Sequence, residues 1–172
     1  MEKIADFSLT GPQLAQSLRE RGERLSAGEG SQPFGQMLCF SVYAAQLAFN
    51  RLYKQLLAPH GLTYLQYLVL VALSQADDRT VSQLGEALFL ESSTLTPLLK
   101  RMEAAGHVTR RRDGHDERVV RIALTPAGRV AAQAVDCVPL DVLEALDLPL
   151  ADLEAMKRTI DRMSAAIRDD VG

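Results

Sequence analysis

The side chains of this 172-residue sequence best suited to chemistry are its two cysteines, Cys39 and Cys137, and the tyrosines that follow the first of them. Apolar residues recur at Leu38, Val42, Ala45, Phe49, Leu52 and Leu56, a spacing that predicts a helix from Gln36 to Leu57. Cys39 then falls in the first turns, where the positive end of the helix dipole favours a thiolate, the form that attacks a peroxide oxygen. A buried thiolate also needs hydrogen-bond donors, and tyrosine hydroxyls supply them without a competing charge. Tyr53 stands 14 positions further on, roughly 21 Å along a straight helix. It can meet Cys39 only from a second subunit whose helix runs alongside. Tyr43, one helical turn beyond Cys39, is a local candidate. On spacing alone the position better suits a small buried hydrophobe, which is what most free cysteines are.

Several elements must position these groups. Pro59-His60-Gly61 ends the first helix, and Thr63 to Ser74, apolar on nearly every face, reads as a central buried helix. Thr80 and Gln83 have capping-box spacing and open a short helix that turns Val81, Leu84, Ala87 and Leu88 inward. Glu91-Ser92-Ser93 is a polar cluster suited to capping a second helix, which carries Leu95, Leu98, Leu99, Met102 and Ala105 until Gly106 stops it. The period then changes to two. His107 to Arg112 and Arg118 to Leu124 read as strands joined by a loop from Asp113 to Glu117. Thr125-Pro126 opens a helix running to about Val138 and limited by Pro139, which puts Cys137 at its end. Leu153, Met156, Ile160, Met163 and Ile167 form an apolar seam that packs either on a partner chain or on its own subunit. The low aromatic content and the number of helices favour the partner.

Composition fits one ordinary domain, with 47% apolar residues, 24% charged residues and a net charge of -3. A chain of this size needs neither a disulfide framework nor a metal to fold. No window approaches the ~18 apolar residues of a membrane span, and Glu2 and Asp6 spoil a signal peptide, so a cytoplasmic protein away from the membrane is expected. The charge is unevenly spread: -1 over residues 1–78, +3 over 79–135 and -5 over 136–172. A positive middle segment concentrates phosphate affinity in one place. His60, His107 and His115 lack the paired spacing of a metal site, and neither a metal nor another cofactor is expected. The organisation reads as an N-terminal extension (1–34) with a short helix at Leu14, Leu18 and Leu25, a dimerisation and sensor helix (35–62), a DNA-binding domain (63–124) and a helical dimerisation region (125–172).

Helix, tight turn, helix and basic two-stranded ribbon form the pattern of a winged helix-turn-helix, here within a mainly α fold with a small β-hairpin wing. On the second helix the face left over by the apolar stripe carries Ser92, Ser93, Thr94, Thr96, Pro97, Lys100 and Arg101. Short hydroxyl side chains and free backbone N–H groups suit the close approach to DNA, and Lys100 and Arg101 suit its phosphates. In the ribbon Arg110, Arg111, Arg112, Arg118 and Arg121 outnumber Asp113, Asp116 and Glu117. Asp116 is placed to aim Arg118 into a narrow minor groove. Surface ion pairing without function is the competing reading.

The stretch from Thr80 to Gly128, with SSTLTPLLKRMEAAGHVTR followed by DGHDERVVRIALTPAG, resembles the winged helix-turn-helix of the MarR family of dimeric bacterial transcription regulators. Met37 to Leu70 is similar to the organic-hydroperoxide sensors of its OhrR branch, in which Leu-Cys-Phe near the start of the first helix precedes two tyrosines. The resemblance covers residues 36–168. It implies a homodimer on pseudo-palindromic double-stranded operator DNA, with an organic hydroperoxide as effector and no enzymatic turnover. It implies further that Tyr53 and Tyr64 approach the peroxidatic Cys39 across the subunit boundary, and that Cys137 is the resolving cysteine of a disulfide between subunits. A sulfenic acid trapped by such a thiol escapes further oxidation. Three other readings stay open beside it: a regulator released by a small lipophilic or phenolic ligand with incidental cysteines, a thiol peroxidase, and a purely structural helical dimer.

Overall fold

The computed structural model describes residues 37–114 and 116–171. The N-terminal extension and its expected helix lie outside the described residues, as does His115. The chain divides into two units between Leu47 and Ala48. In the first, the opening turns of α1 (Leu38–Leu57) leave every described side chain exposed, including Leu38 at 70%, Cys39, Phe40 and Val42.

The second unit holds the rest of α1, which ends in a 3-10 turn, Ala58–His60. Gly61 stops it at φ 66°, a left-handed conformation that glycine adopts without strain. α2 (Tyr64–Gln75) is opened by a capping box in which Thr63 and Gln66 satisfy each other's backbone N–H groups. The expected box at Thr80 and Gln83 opens α3 (Val81–Leu88). α4 (Ser92–Ala104) ends where Gly106 turns left-handed and the His107 N–H donates back to the Met102 carbonyl at 2.9 Å.

Three antiparallel strands, β1 (Arg79–Thr80), β2 (Val108–Arg112) and β3 (Val120–Leu124), pair in the order β1-β3-β2. β1 escaped the sequence reading because a strand of two residues has no period. Arg112 pairs with Val120, so the wing loop runs from 113 to 119, two residues longer than expected. The helix expected to reach Val138 breaks earlier, into α5 (Pro126–Ala134) and α6 (Val138–Leu146). Pro139 sits in the first turn of α6, where its missing N–H removes no helical bond, so it opens a helix instead of limiting one. Cys137 is accordingly the N-cap of α6, not the end of the preceding helix. α7 (Leu150–Val171) closes the chain.

One apolar core gathers Leu57, Leu70 and Leu73, Leu84 of α3, Leu95, Leu99 and Met102 of α4, and Ile122 of β3. Ala132, Val135, Val138 and Val142 join it, so α5 and the start of α6 pack with the winged helix. The described residues of the same chain cover the seam of α7 only in part: Leu153 and Met163 are half-buried, while Met156 is 48% exposed, Ile160 48% and Ile167 57%. Among the described residues no single helix is long and apolar enough to cross a membrane.

Asp77 and Asp78 hold the wing to this core. The Asp77 carboxylate accepts from the N–H groups of Asp78 and Leu124, both at 2.9 Å, and pairs with Arg129 of α5 at 2.8 Å. Burial pushes this carboxyl up, but the Leu124 and Asp78 hydrogen bonds and Arg129 outweigh it and hold it below the usual range. Asp78, left-handed at φ 56°, pairs with Arg111 at 2.7 Å and with Arg121 at 3.2 Å.

Gly128 permits a close backbone approach: a Cβ there would stand 1.9 Å from the His107 carbonyl oxygen. That carbonyl already accepts from the N–H of Thr125, whose hydroxyl caps α5 by accepting from the Gly128 N–H at 2.9 Å. Gly128→Ala must push α5 away from β2, and urea unfolding should show a loss of about 2 kcal/mol or more with an unchanged slope. Stability within about 0.5 kcal/mol of wild type would contradict the contact.

Candidate nucleic-acid interface and thiol site

α4 buries Leu95, Leu98, Leu99 and Met102, and this stripe sets the opposite face. Ser92, Ser93, Thr94, Pro97, Lys100 and Arg101 are exposed there, and Thr96 is half-buried at the edge. The polar cluster at the start does not cap the helix as expected. Glu91 is the N-cap residue, and no side-chain hydrogen bond satisfies the first amides. Helical bonding begins with the N–H groups of Thr94 and Leu95, both donating to the Glu91 carbonyl at 3.0 Å, which leaves the N–H groups of Ser92 and Ser93 ahead of the ladder. Uncapped amides among short hydroxyls form a ready anion site. Pro97 lies beyond this turn, in a helix interior where a proline costs about 3 kcal/mol.

The wing arginines divide by partner. Arg110 pairs with Glu103 of α4 at 3.2 Å, Arg111 with Asp78, and Arg121 with both Asp113 and Asp78. Arg112 meets Glu117 at 3.6 Å with both side chains in solvent, a contact worth little. Arg110 and Arg111, read from the sequence as DNA contacts, thus also brace the sheet. Asp116 does not aim the Arg118 guanidinium. Its Oδ1 accepts from the Arg118 backbone N–H at 2.9 Å, the local turn that an aspartate two residues upstream readily forms. Among the described residues, Arg118, Lys100 and Arg101 have no ion-pair partner.

Cys39 is the second residue of α1 and is exposed in the single chain, with Leu38, Phe40, Val42 and Tyr43 exposed beside it. Tyr43 lies against Phe40, ring centroids 6.3 Å apart. Cys137 is exposed at the α6 N-terminus. The two cysteines are free thiols.

Tyr53 and Tyr64, the other expected members of the site, lie with ring centroids 4.3 Å apart and planes tilted by 41°, and Tyr67 joins them at 5.8 Å from Tyr53. Tyr67, only 5% exposed, was missed because α2 is apolar on almost every face and a second phenol within it reads as core. Its spacing of three from Tyr64 was the available signal. Burial, followed by the neighbouring Tyr64 and Tyr67, pushes Tyr53 up to about 12. Burial also raises Tyr64, and it raises Tyr67 together with Tyr64 and Asp136. All three phenols keep their protons at neutral pH and are hydrogen-bond donors. No group of three or more described residues is suited to hold a metal ion.

Residues 51–135 match the family model described as transcriptional regulator SarA/Rot. Over 140 residues the chain is 47% identical to the HTH-type transcriptional regulator TtmR of Methylorubrum extorquens (strain PA1), a match spanning 81% of this chain and 70% of that protein. Over 123 residues it is 40% identical to the organic hydroperoxide resistance transcriptional regulator of Bacillus subtilis (strain 168), spanning 72% of this chain and 84% of the relative. The solved structure of reduced AbfR bound to DNA is similar with a TM-score of 0.71 at 30% identity, over 90% of this chain and 99% of that one. AbfR is also solved overoxidised and bound to DNA, with a TM-score of 0.61, and with its disulfide formed, with a TM-score of 0.56. Both are 32% identical and cover 84% and 86% of this chain, and 98% of the AbfR chain in each case.

The tyrosine cluster fixes a pH dependence. These phenols hold their protons more tightly in the folded chain than at the ordinary value of 10.0, so their contribution to stability is whole below pH 10 and is lost as pH rises above it, for Tyr53 toward about 12. In an alkaline spectrophotometric titration, Tyr53→Phe should remove the tyrosinate that forms near pH 12. A variant curve that keeps that step would contradict the assignment.

Proposed function

Because the chain belongs to the MarR/SarA-type family of transcription regulators, on its organic-hydroperoxide branch, we propose that it is a homodimeric repressor switched by Cys39. It holds a pseudo-palindromic operator while Cys39 is reduced and leaves it when an organic hydroperoxide oxidises that residue. The observation that carries this reading is the placement of Cys39: second in α1, exposed, and among apolar side chains that a lone chain leaves in water. A partner helix laid on that surface buries the thiol. Tyr53 and Tyr64 of the partner chain, protonated at neutral pH, then donate to it.

The chemistry runs in two balanced steps. The Cys39 thiolate attacks the outer peroxide oxygen; the O–O bond breaks, the alkoxide takes a proton to leave as alcohol, and Cys39 becomes a sulfenic acid. The Cys137 thiol of the other subunit then attacks that sulfur, forming a disulfide and releasing water. Two recognition helices must meet grooves roughly 34 Å apart, so pulling Cys137 toward Cys39 changes the lobe spacing and costs many contacts at once. The AbfR structures favour the disulfide as the releasing form, since AbfR was captured on DNA both reduced and overoxidised.

On the DNA side, the α4 N-terminus with Ser92, Ser93, Thr94 and Thr96 approaches the major groove, Lys100 and Arg101 hold phosphates, and the unpaired Arg118 reaches the minor groove from the wing. Arg110 and Arg111 contribute charge from the braced strand.

Operator release by cumene hydroperoxide should be lost in Cys39→Ser; equal release of that variant removes Cys39 from the mechanism. Cys137→Ser should form no crosslinked dimer on a non-reducing gel and should stay on DNA after oxidation, and the wild-type crosslink in that variant would refute the resolving role. Arg118→Ala should weaken duplex binding and lower the salt slope by about 1, with oxidation unaltered. Unchanged affinity contradicts its groove assignment.

A further inference from the structure

The exposed face of α4 is polar apart from Pro97 near its centre and Ala104 at its last residue. Ser93, Thr94, Lys100 and Arg101 all lie within about 60° of Pro97 around the helix axis. Pro97 is itself exposed, so packing does not account for it. It is the sixth residue of α4, past the turn in which a missing N–H is harmless, because bonding has already begun at Leu95. A proline here removes the amide that Ser93 C=O would accept from, and its ring crowds that carbonyl. A local rule broken on an exposed face marks a functional position.

The ring has no donor and no acceptor. Facing base edges in a major groove, it can only bury apolar surface, and the apolar feature presented there is the C5-methyl of thymine. Its four neighbours on that face can each serve phosphates as well as bases. Resting on the DNA-binding reading above, we propose that Pro97 is a specificity-determining residue that reads one thymine methyl in each half-site.

The test uses the full chain and a duplex selected by the wild-type protein from a random-sequence pool. Each thymine of that duplex is replaced in turn by deoxyuridine, which removes only the methyl. At one position per half-site this should weaken wild-type binding about fourfold, the effect of one buried methyl. Pro97→Ser regains the helical amide, so it should keep its fold by circular dichroism and bind the thymine and uracil duplexes equally. Pro97→Val, apolar again, should restore the discrimination. Uracil tolerated everywhere by wild type, or an undiminished fourfold effect in Pro97→Ser, overturns the proposal. If the wild-type chain selects no duplex at all, the DNA-binding reading fails first and takes the proposal with it.

Discussion

Several of the largest apolar side chains of this protein stand in water on the single chain. Leu38 at the start of α1 is 70% exposed, and Met156, Ile160 and Ile167 line α7 at about half exposure. At roughly 25 cal/mol per Å² of apolar surface, leaving such faces uncovered is costly, and rows of them mark contact surfaces. In the proposed mechanism the occupant is a second copy of the chain, which would bury Cys39, bring phenol donors that the same α1 carries fourteen residues away, and set the separation of two DNA-binding lobes. In the proposed mechanism the sensor and the operator grip are therefore two consequences of one interface.

The winged helix is braced as one piece, as the proposed switch requires. Asp77 ties β3 and α5 to the end of α2, and Asp78 takes two wing arginines, so the sheet cannot swing independently of the core. The same pairing lowers the free positive charge. Of the basic residues on the DNA face, Lys100, Arg101 and Arg118 are left without a partner among the described residues, which favours a grip dependent on geometry over one dependent on bulk charge.

Long periodic segments were legible in the sequence: α1, α2, α4 and the seam of α7 follow from apolar spacing, and the Thr80–Gln83 box and Gly106 stop from local capping chemistry. The misreadings have physical causes. Pro139 can end one helix or begin another, and only the packing of Val138 and Val142 into the core decides between them. β1 forms because β3 offers it partners, which no local pattern records. Asp77 and Asp78 look like a loop in sequence, yet they reach partners more than thirty positions away. Cys39 was legible as a reactive type at a helix start, whereas its exposure depends on how many chains are present.

The central claim is that the switch is a covalent bond made between two chains. Dimers assembled from isotopically light and heavy chains, oxidised with one equivalent of an organic hydroperoxide and digested without reduction, give the most direct reading by mass spectrometry. The account predicts a crosslink joining the Cys39 and Cys137 peptides, with mixed light-heavy pairs among the products. Crosslinks confined to one chain, or operator release with both thiols still unbridged, would contradict it.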